Sequence, residues 1–190
     1  QPNLILALSL IATAIFSAIA MAYPQFDVQF SNLFYSADTG FYLKSDPYLL
    51  ALRTAGRVLP AVLIAGMIIV PLLRQIGLRL PLLPTERDML FLSAALAMGP
   101  GLAVNLILKS YWGRSRPQDT TIFGGQEQYT IVWWPWGECS SNCSFVSGEA
   151  STAVFMMAIA ALVPRRWRLR VLCAAAVWTI AISLNRIAFA

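Results

Sequence analysis

This sequence contains no histidine among its 190 residues and has little charge of either sign. Charged residues make up 12% of the chain, against about 25% in a typical soluble domain. Hydrophobic residues make up 58%. The shortage of charge excludes an ordinary soluble domain and indicates a membrane protein. We predict a single membrane domain over residues 1–190.

The sequence also lacks the motifs of nucleotide and metal chemistry. Without histidine, thiols and carboxylates are the main side-chain ligands left, and no carboxylate cluster indicates a magnesium site. There is no Walker-type glycine loop. These absences argue against nucleotide hydrolysis. We therefore expect a site without a metal ion or other cofactor, and no nucleic-acid partner.

Cysteine is scarce, with three residues in the chain. Cys173 lies in an apolar segment, where we expect it to serve packing. Cys139 and Cys143 flank Ser-Ser-Asn in a polar loop, where a disulfide can form if the loop faces an oxidising compartment. A metal site is the competing interpretation, but two thiols without histidine support it weakly.

Long apolar segments are abundant. A helix needs about 20 mostly apolar residues to cross a membrane, and the sequence has five segments near or above that length. We therefore predict an all-α, polytopic bundle of transmembrane helices. The fifth segment is still apolar at Ala190, so we expect the natural chain to continue into a sixth. The five segments run from Leu4 to Tyr23, Leu49 to Leu73, Met89 to Leu108, Ser147 to Val163, and from Val171 onward.

The third segment is interrupted by Gly99, Pro100 and Gly101. Proline removes a helical hydrogen bond and glycine loosens the backbone, so the triplet predicts a kink. A kink that serves packing is the simpler interpretation, and a functional hinge is the alternative.

Basic residues predict the orientation of the bundle. Arg74, Arg79 and Arg87 lie in the connection before the third segment, and four more arginines lie within residues 165–170. The positive-inside rule places both connections in the cytoplasm. The loop of residues 109–146 then faces the periplasm or the outside of a bacterial inner membrane.

Three cations nevertheless lie in this outer loop, at Lys109, Arg114 and Arg116. Headgroup contact by snorkelling side chains is one explanation for them. A functional site is the other, because charged groups at this depth are costly and are functional candidates by default.

Topology brings further polar residues to the same membrane face. The third segment ends there, the fourth begins there, and the fifth reaches it near its last residues. Arginine can bind two phosphate oxygens through its planar fork, and a helix N-terminus offers backbone N–H groups. We therefore predict a phosphate site formed by Lys109, Arg116, Ser147, Gly148 and Arg186, with Glu149 beside it.

Arg53 and Arg57 lie one turn apart at the outer end of the second segment. Headgroup snorkelling is the simpler interpretation. The functional alternative is a second anion contact, for a substrate with several phosphates or sugars. Arg114 is a candidate headgroup contact of the same kind.

These stretches together resemble the signatures of a known superfamily. Residues 109–117 have the spacing Lys, six residues, Arg-Pro, which resembles the first signature of the phosphatidic acid phosphatase type 2 superfamily. Residues 146–149 read Val-Ser-Gly-Glu and resemble its second signature, Pro-Ser-Gly-His. Residues 185–186 read Asn-Arg and resemble the start of its third, which is Ser-Arg, five residues, His. The resemblance runs from about Met89 to the end of the chain.

The resemblance implies a lipid phosphatase that acts without a metal ion and through a phosphohistidine. Its nucleophilic histidine would fall two positions past Ala190, and Arg186 would assist it. In the superfamily the second-signature histidine protonates the leaving group, and this chain has Glu149 there. Glu149 has three interpretations: a proton donor, a group that holds the nucleophilic histidine by a hydrogen bond, or an engineered inactivating change.

The substrate implied is a lipid phosphate monoester or diphosphate. The outer-facing site, the basic pocket and Glu149 together resemble the bacterial lipid A phosphatases, so a lipid A-like substrate is favoured. Phosphatidylglycerophosphate and isoprenyl diphosphates are alternatives. A non-catalytic anionic-lipid binder or transporter is the alternative of a different class. The expected partners are the lipid substrate and the bilayer, and the sequence does not predict an oligomeric state.

Overall fold

The computed structural model describes residues 2–78, 84–141 and 143–189 and is predominantly helical. A π-helical stretch, Ala97–Leu108, joins the α-helical segments Glu86–Leu96 and Lys109–Tyr111, so that Glu86–Tyr111 is one continuous helix. One antiparallel hairpin pairs β1 (Tyr35–Ser36) with β2 (Gly40–Phe41). The predicted all-α class is confirmed. The helices are α1 (Pro2–Ala22), α2 (Gln25–Asn32), α3 (Pro47–Gln75), α4 (Glu86–Leu96), α5 (Lys109–Tyr111), α6 (Gly148–Leu162) and α7 (Arg165–Ala188).

Three of these helices are long and apolar enough to cross a membrane: α3, Glu86–Tyr111 and α7. Residues Ser9–Ala22 of α1 meet α2 at a bend of 85°. If this bent pair is a single membrane span, it is the fourth. Helix α6 is apolar but has 15 residues, fewer than the about 20 that a span needs. Each of the five predicted segments is therefore a helix, but length and composition support three or four spans among the described residues.

The apolar surfaces of the long helices are largely uncovered by protein. Only 11% of the most apolar window of α3, and the same share for Glu86–Tyr111, is buried. Apolar surface of this extent is unfavourable in water and is suited to lipid. The orientation in the membrane stays a prediction, and Arg79 of the predicted inner connection lies outside the described residues.

Short polar residues fix where the helices begin. The Asp46 side chain accepts a hydrogen bond from the backbone N–H of Leu49 at 2.9 Å, and Pro47 occupies the first turn of α3. Ser147 likewise accepts from the N–H of Ala150 at 3.2 Å and caps α6. Such caps satisfy backbone donors that have no partner within the helix. The start of α6 is therefore encoded by the same serine that belongs to the predicted site.

The glycine–proline triplet of the third segment changes the helix type. Where a kink is predicted, the structure has π-helical hydrogen bonding within one continuous helix. Pro100 has no N–H to donate, and the surrounding turns adjust to a wider ring of hydrogen bonds. The Asn105 side chain donates to the Pro100 carbonyl at 2.7 Å. The stretch thereby places a polar side chain in an otherwise apolar helix.

Close packing joins α3, α6 and α7. Helices α6 and α7 pack against each other, and Ala153 is 1% exposed. A Cβ on Gly56 of α3 would lie 2.7 Å from Cδ1 of Ile182 in α7. The Asn185 amide donates to the Leu49 carbonyl at 2.9 Å and ties the end of α7 to the start of α3. Small residues permit this approach, as is usual between membrane helices.

Candidate functional site

Three helix ends meet at one cavity of about 540 Å³. One is the end of the Glu86–Tyr111 helix, the second is the start of α6, and the third is the last turn of α7. The loop between α5 and α6 supplies a further wall. The residues predicted from sequence to bind phosphate all line this cavity, so the structure brings them together, although their roles stay predictions: Lys109, Arg116, Ser147, Gly148 and Arg186.

The start of α6 approaches the π-helical stretch closely. A Cβ on Gly148 would lie 2.8 Å from Oδ1 of Asn105. A side chain at residue 148 would therefore need Asn105 to move. Ser147 uses its oxygen as the helix cap, which leaves its O–H free to donate. Together with the unpaired N–H groups of the first helical turn, this arrangement can bind an anion.

Glu149 links two arginines at the edge of the cavity. Its Oε1 lies 3.8 Å from Nε of Arg53 and 3.8 Å from Nη1 of Arg186. Its Oε2 is buried and has no hydrogen-bond partner in the described part of the chain. Arg53 also lies over the Phe189 ring, 5.1 Å from its centroid. Neither Arg53 nor Arg57 lines the cavity. Arg53 is connected to the site indirectly, because it lies next to Glu149, which does line the cavity.

The cavity carries an excess of positive charge. Its described lining includes four cations and two carboxylates, which gives a net charge of +2. Unbalanced charge in a partly buried site is costly unless a ligand of opposite sign compensates it. The cavity is therefore electrostatically suited to an anion. The cations are Lys109, Arg114, Arg116 and Arg186, and the carboxylates are Asp27 and Glu149.

Arg114 is held by protein groups of its own. It forms an ion pair with Asp27 of α2, and its Nε donates to the Thr130 carbonyl at 3.1 Å. Its guanidinium also faces the Tyr129 ring, 5.9 Å from the centroid. The candidate role of Arg114 as a headgroup contact stays a prediction. In the structure, the Asp27 carboxylate already compensates the positive charge of Arg114.

Tyr129 completes the attachment of α2 to the outer loop. Its hydroxyl donates a bifurcated hydrogen bond to Asp27 Oδ1 and to the Pro24 carbonyl oxygen, each at 2.7 Å. Burial, followed by the hydrogen bond and charge of Asp27, raises the pKa of Tyr129 to about 12. Tyr129 therefore stays a neutral donor at physiological pH.

A disulfide joins Cys139 and Cys143, with their Cα atoms 5.7 Å apart. This small ring holds the loop beside the site. The backbone N–H of Cys143 donates to the Lys109 carbonyl at 3.3 Å, and that of Ser144 donates to the Arg114 carbonyl at 2.7 Å. Together with the disulfide, these hydrogen bonds brace the chain that carries the loop cations. No group of three or more potential metal-ligating side chains occurs among the described residues.

Sequence reasoning missed several residues around the cavity. Asp27 is a carboxylate in a short segment far from the signatures, so the sequence did not reveal its partner. Asn105 did carry a signal, because a polar amide within an apolar segment is a candidate contact between helices. Three phenylalanines also line the cavity, and nothing in the sequence marked them as site residues: Phe16, Phe26 and Phe30.

Three relatives that are similar to this chain share one name. A relative from Rhizobium leguminosarum, named lipid A 4'-phosphatase, is 33% identical over 186 residues, which cover 90% of this chain and 79% of the relative. One of the same name from Francisella tularensis subsp. novicida is 29% identical over 147 residues, covering 77% and 66%. A third, from Rhizobium etli, is 49% identical over 74 residues, covering 39% and 29%. No solved structure matches the chain significantly.

The family model of the PAP2 superfamily matches residues 90–190. That region contains all three signature-like stretches and the helix ends that meet at the cavity. The match covers more than half of the chain, and the Rhizobium leguminosarum relative is similar along most of its length. This chain belongs to the PAP2 superfamily.

Proposed function

We propose that this chain is a membrane lipid phosphatase that removes phosphate from a lipid phosphate monoester or diphosphate. The observation that carries the proposal is the cavity, in which cations from three parts of the chain surround a capped helix N-terminus. The names of the relatives favour a lipid A-like substrate. Superfamily membership supports phosphate ester hydrolysis as the reaction.

The cavity residues have separable roles in this reaction. The planar fork of Arg116 binds two phosphoryl oxygens, and Lys109 supplies a point charge. Arg186 adds a cation from the last turn of α7, and the start of α6 donates hydrogen bonds. Negative charge on the phosphoryl oxygens must be stabilised as the transition state forms, and groups already held in place do this without reorganisation.

The superfamily resemblance supports a covalent route. In this route a histidine two positions past Ala190 attacks phosphorus, and the bond from phosphorus to the ester oxygen breaks. The leaving alcohol takes up a proton. Water then cleaves the phosphohistidine and releases inorganic phosphate.

For Glu149 we favour an orienting role. Its Oε1 is close to both Arg53 and Arg186, so it can fix the two guanidinium groups relative to each other. Its buried Oε2 can accept a hydrogen bond from the attacking histidine. The proton for the leaving alcohol then comes from another group or from water.

The reaction is proposed to take place at the outer face of a bacterial inner membrane. The arginine-rich connections support this placement, because they predict that the opposite ends of the helices, where the cavity lies, face the periplasm.

Phosphate release by the full-length natural protein tests the proposal. The purified protein would be assayed with a lipid A-type phosphate, phosphatidylglycerophosphate and an isoprenyl diphosphate in matched liposomes, with Arg116→Ala as the control. We expect release from at least one lipid, fastest from the lipid A-type substrate. Binding of anionic lipid without release from any of them would instead indicate a non-catalytic binder.

A further inference from the structure

Helix α2 places an apolar wall beside the cationic part of the cavity. Phe26 and Phe30 of α2 line the cavity, and their ring centroids lie 6.3 Å apart with nearly parallel planes. Phe16 of α1 and Ile187 of α7 are further apolar residues that line this cavity. Phe26 is 58% exposed and Phe16 is 69% exposed. A single cavity therefore offers both positive charge and accessible aromatic surface.

This wall is held in place by polar contacts. Helix α2 has eight residues and meets α1 at 85°. The Asp27–Arg114 ion pair and the Tyr129 hydroxyl fasten it to the outer loop. Asp27 lies between the two phenylalanines in sequence, so the same short helix presents the aromatic rings and carries the attachment.

We propose that Phe26 and Phe30 form a subsite for an acyl chain of the substrate, and that Asp27 and Arg114 position it. The inference rests on the proposed function. The occupant is the lipid whose phosphate binds at Lys109 and Arg116, because one molecule with an anionic head and an apolar chain complements both walls of one cavity. Contact with the two rings excludes water from part of the acyl chain and stabilises the complex of lipid and protein.

Chain-length selectivity tests the subsite. Phosphate release would be measured with the full-length protein for a lipid A-type phosphate with long acyl chains and for a water-soluble version with four-carbon chains. Removing one phenylalanine side chain that the bound acyl chain covers should weaken binding by about tenfold or more. For Phe26→Ala and Phe30→Ala we therefore expect the ratio of long-chain to short-chain kcat/KM to fall by about tenfold. Leu33→Ala, which removes an exposed apolar side chain outside the cavity, should leave the ratio unchanged.

The attachment is tested by exchanging charges. Arg114→Asp alone should lower the same selectivity ratio, and Asp27→Arg together with Arg114→Asp should recover part of it. Recovery in the double variant would support positioning through the ion pair, since general damage to the fold would not be repaired by a second change.

One result would overturn the inference while leaving the proposed function intact. It is hydrolysis in which the ratio is unaffected by Phe26→Ala and Phe30→Ala, whether neither substrate loses rate or both lose it equally. No phosphate release from either substrate by the unaltered protein would overturn the proposed function, and the subsite with it.

Discussion

At the scale of single residues, Arg114 and Arg116 are two cations of one loop in different settings. Both line the cavity, but Arg114 is also paired with Asp27, and Arg116 is followed by Pro117, which restricts its backbone. Charge alone would make the two equivalent. The Arg-Pro signature predicts that Arg116, and not Arg114, binds the phosphoryl group. Mutation of each arginine can test this difference.

We expect Arg116→Ala to slow phosphate release by at least about tenfold. Hydrogen bonds to charged groups are worth roughly 1.5–3 kcal/mol, and each 1.36 kcal/mol is about tenfold in rate. Arg116→Lys should restore activity only in part, because lysine cannot form the paired contact. The measurement is kcat on the short-chain substrate, with Arg170→Ala as a charge control, since Arg170 stacks on Trp167 at the beginning of α7. Equal losses for Arg114→Ala and Arg116→Ala would mean that the loop acts as a diffuse positive field.

Glu149→Gln separates an orienting role from proton donation. The change keeps the shape of the side chain but removes both ion pairs, to Arg53 and Arg186. We expect a loss of about tenfold or more in kcat, of similar size for an alkyl phosphate and for a nitrophenyl phosphate. A proton donor behaves differently, because a nitrophenolate leaves without needing a proton. A loss confined to the alkyl phosphate would contradict the orienting role.

At the scale of elements, the loop between α5 and α6 depends on a close backbone crossing. Gly113 has φ of +72°, and a Cβ there would lie 2.7 Å from the Gly137 carbonyl oxygen. The N–H of Cys139 donates to the Gly113 carbonyl at 3.0 Å. The crossing therefore links the disulfide loop to the stretch that runs from Lys109 to Arg116.

Gly113→Ala should lower both stability and activity. The left-handed backbone costs a non-glycine residue about 1–3 kcal/mol, and the clash with Gly137 adds to it. Thermal unfolding in detergent should therefore shift down by several degrees. Gly66→Ala is the matched control, because a Cβ there meets nothing within 4 Å and alanine favours a helix interior. An unchanged unfolding midpoint for Gly113→Ala would contradict the importance of this crossing.

Elements set by local sequence were more predictable than contacts between distant parts of the chain. Apolar length predicted a helix at each of the five segments, and Ser147 marked the start of α6. The bend between α1 and α2, and the docking of Asp27 on Arg114, depend on contacts between distant parts of the chain. The sequence predicted only a kink at Pro100, since it does not show how neighbouring turns share the lost hydrogen bond.

At the scale of the whole molecule, the orientation of the helices in the membrane decides which compartment the cavity faces. We expect Gln126→Cys to be labelled by a membrane-impermeant thiol reagent on intact spheroplasts, and Arg166→Cys only after the membrane is opened. The arginines of residues 165–170 are the physical reason. Both variants would carry Cys173→Ala, because Cys173, which the sequence predicted to serve packing, is a free and exposed thiol in the structure. Labelling of residue 126 only from the inside would reverse the placement of the cavity.

The convergence of Lys109, Ser147 and Arg186 was predictable from topology, because alternate helix ends lie on one membrane face. The charge balance was not. Sequence alone counted Arg53, Arg57 and Arg114 as candidate anion contacts, whereas the structure pairs Arg114 with Asp27 and brings Arg53 to Glu149. Which cations face a ligand depends on side-chain partners supplied by other helices.

The central claim is that the phosphoryl group binds where the three helix ends meet. An experimental structure of the full-length protein with tungstate, a heavy phosphate mimic, tests it most directly. The account predicts anomalous density in the cavity, within hydrogen-bonding reach of Arg116, Arg186 and the first turn of α6, and loss of that density in Arg116→Ala. Tungstate that inhibits the enzyme but binds elsewhere, with this cavity empty, would contradict the account.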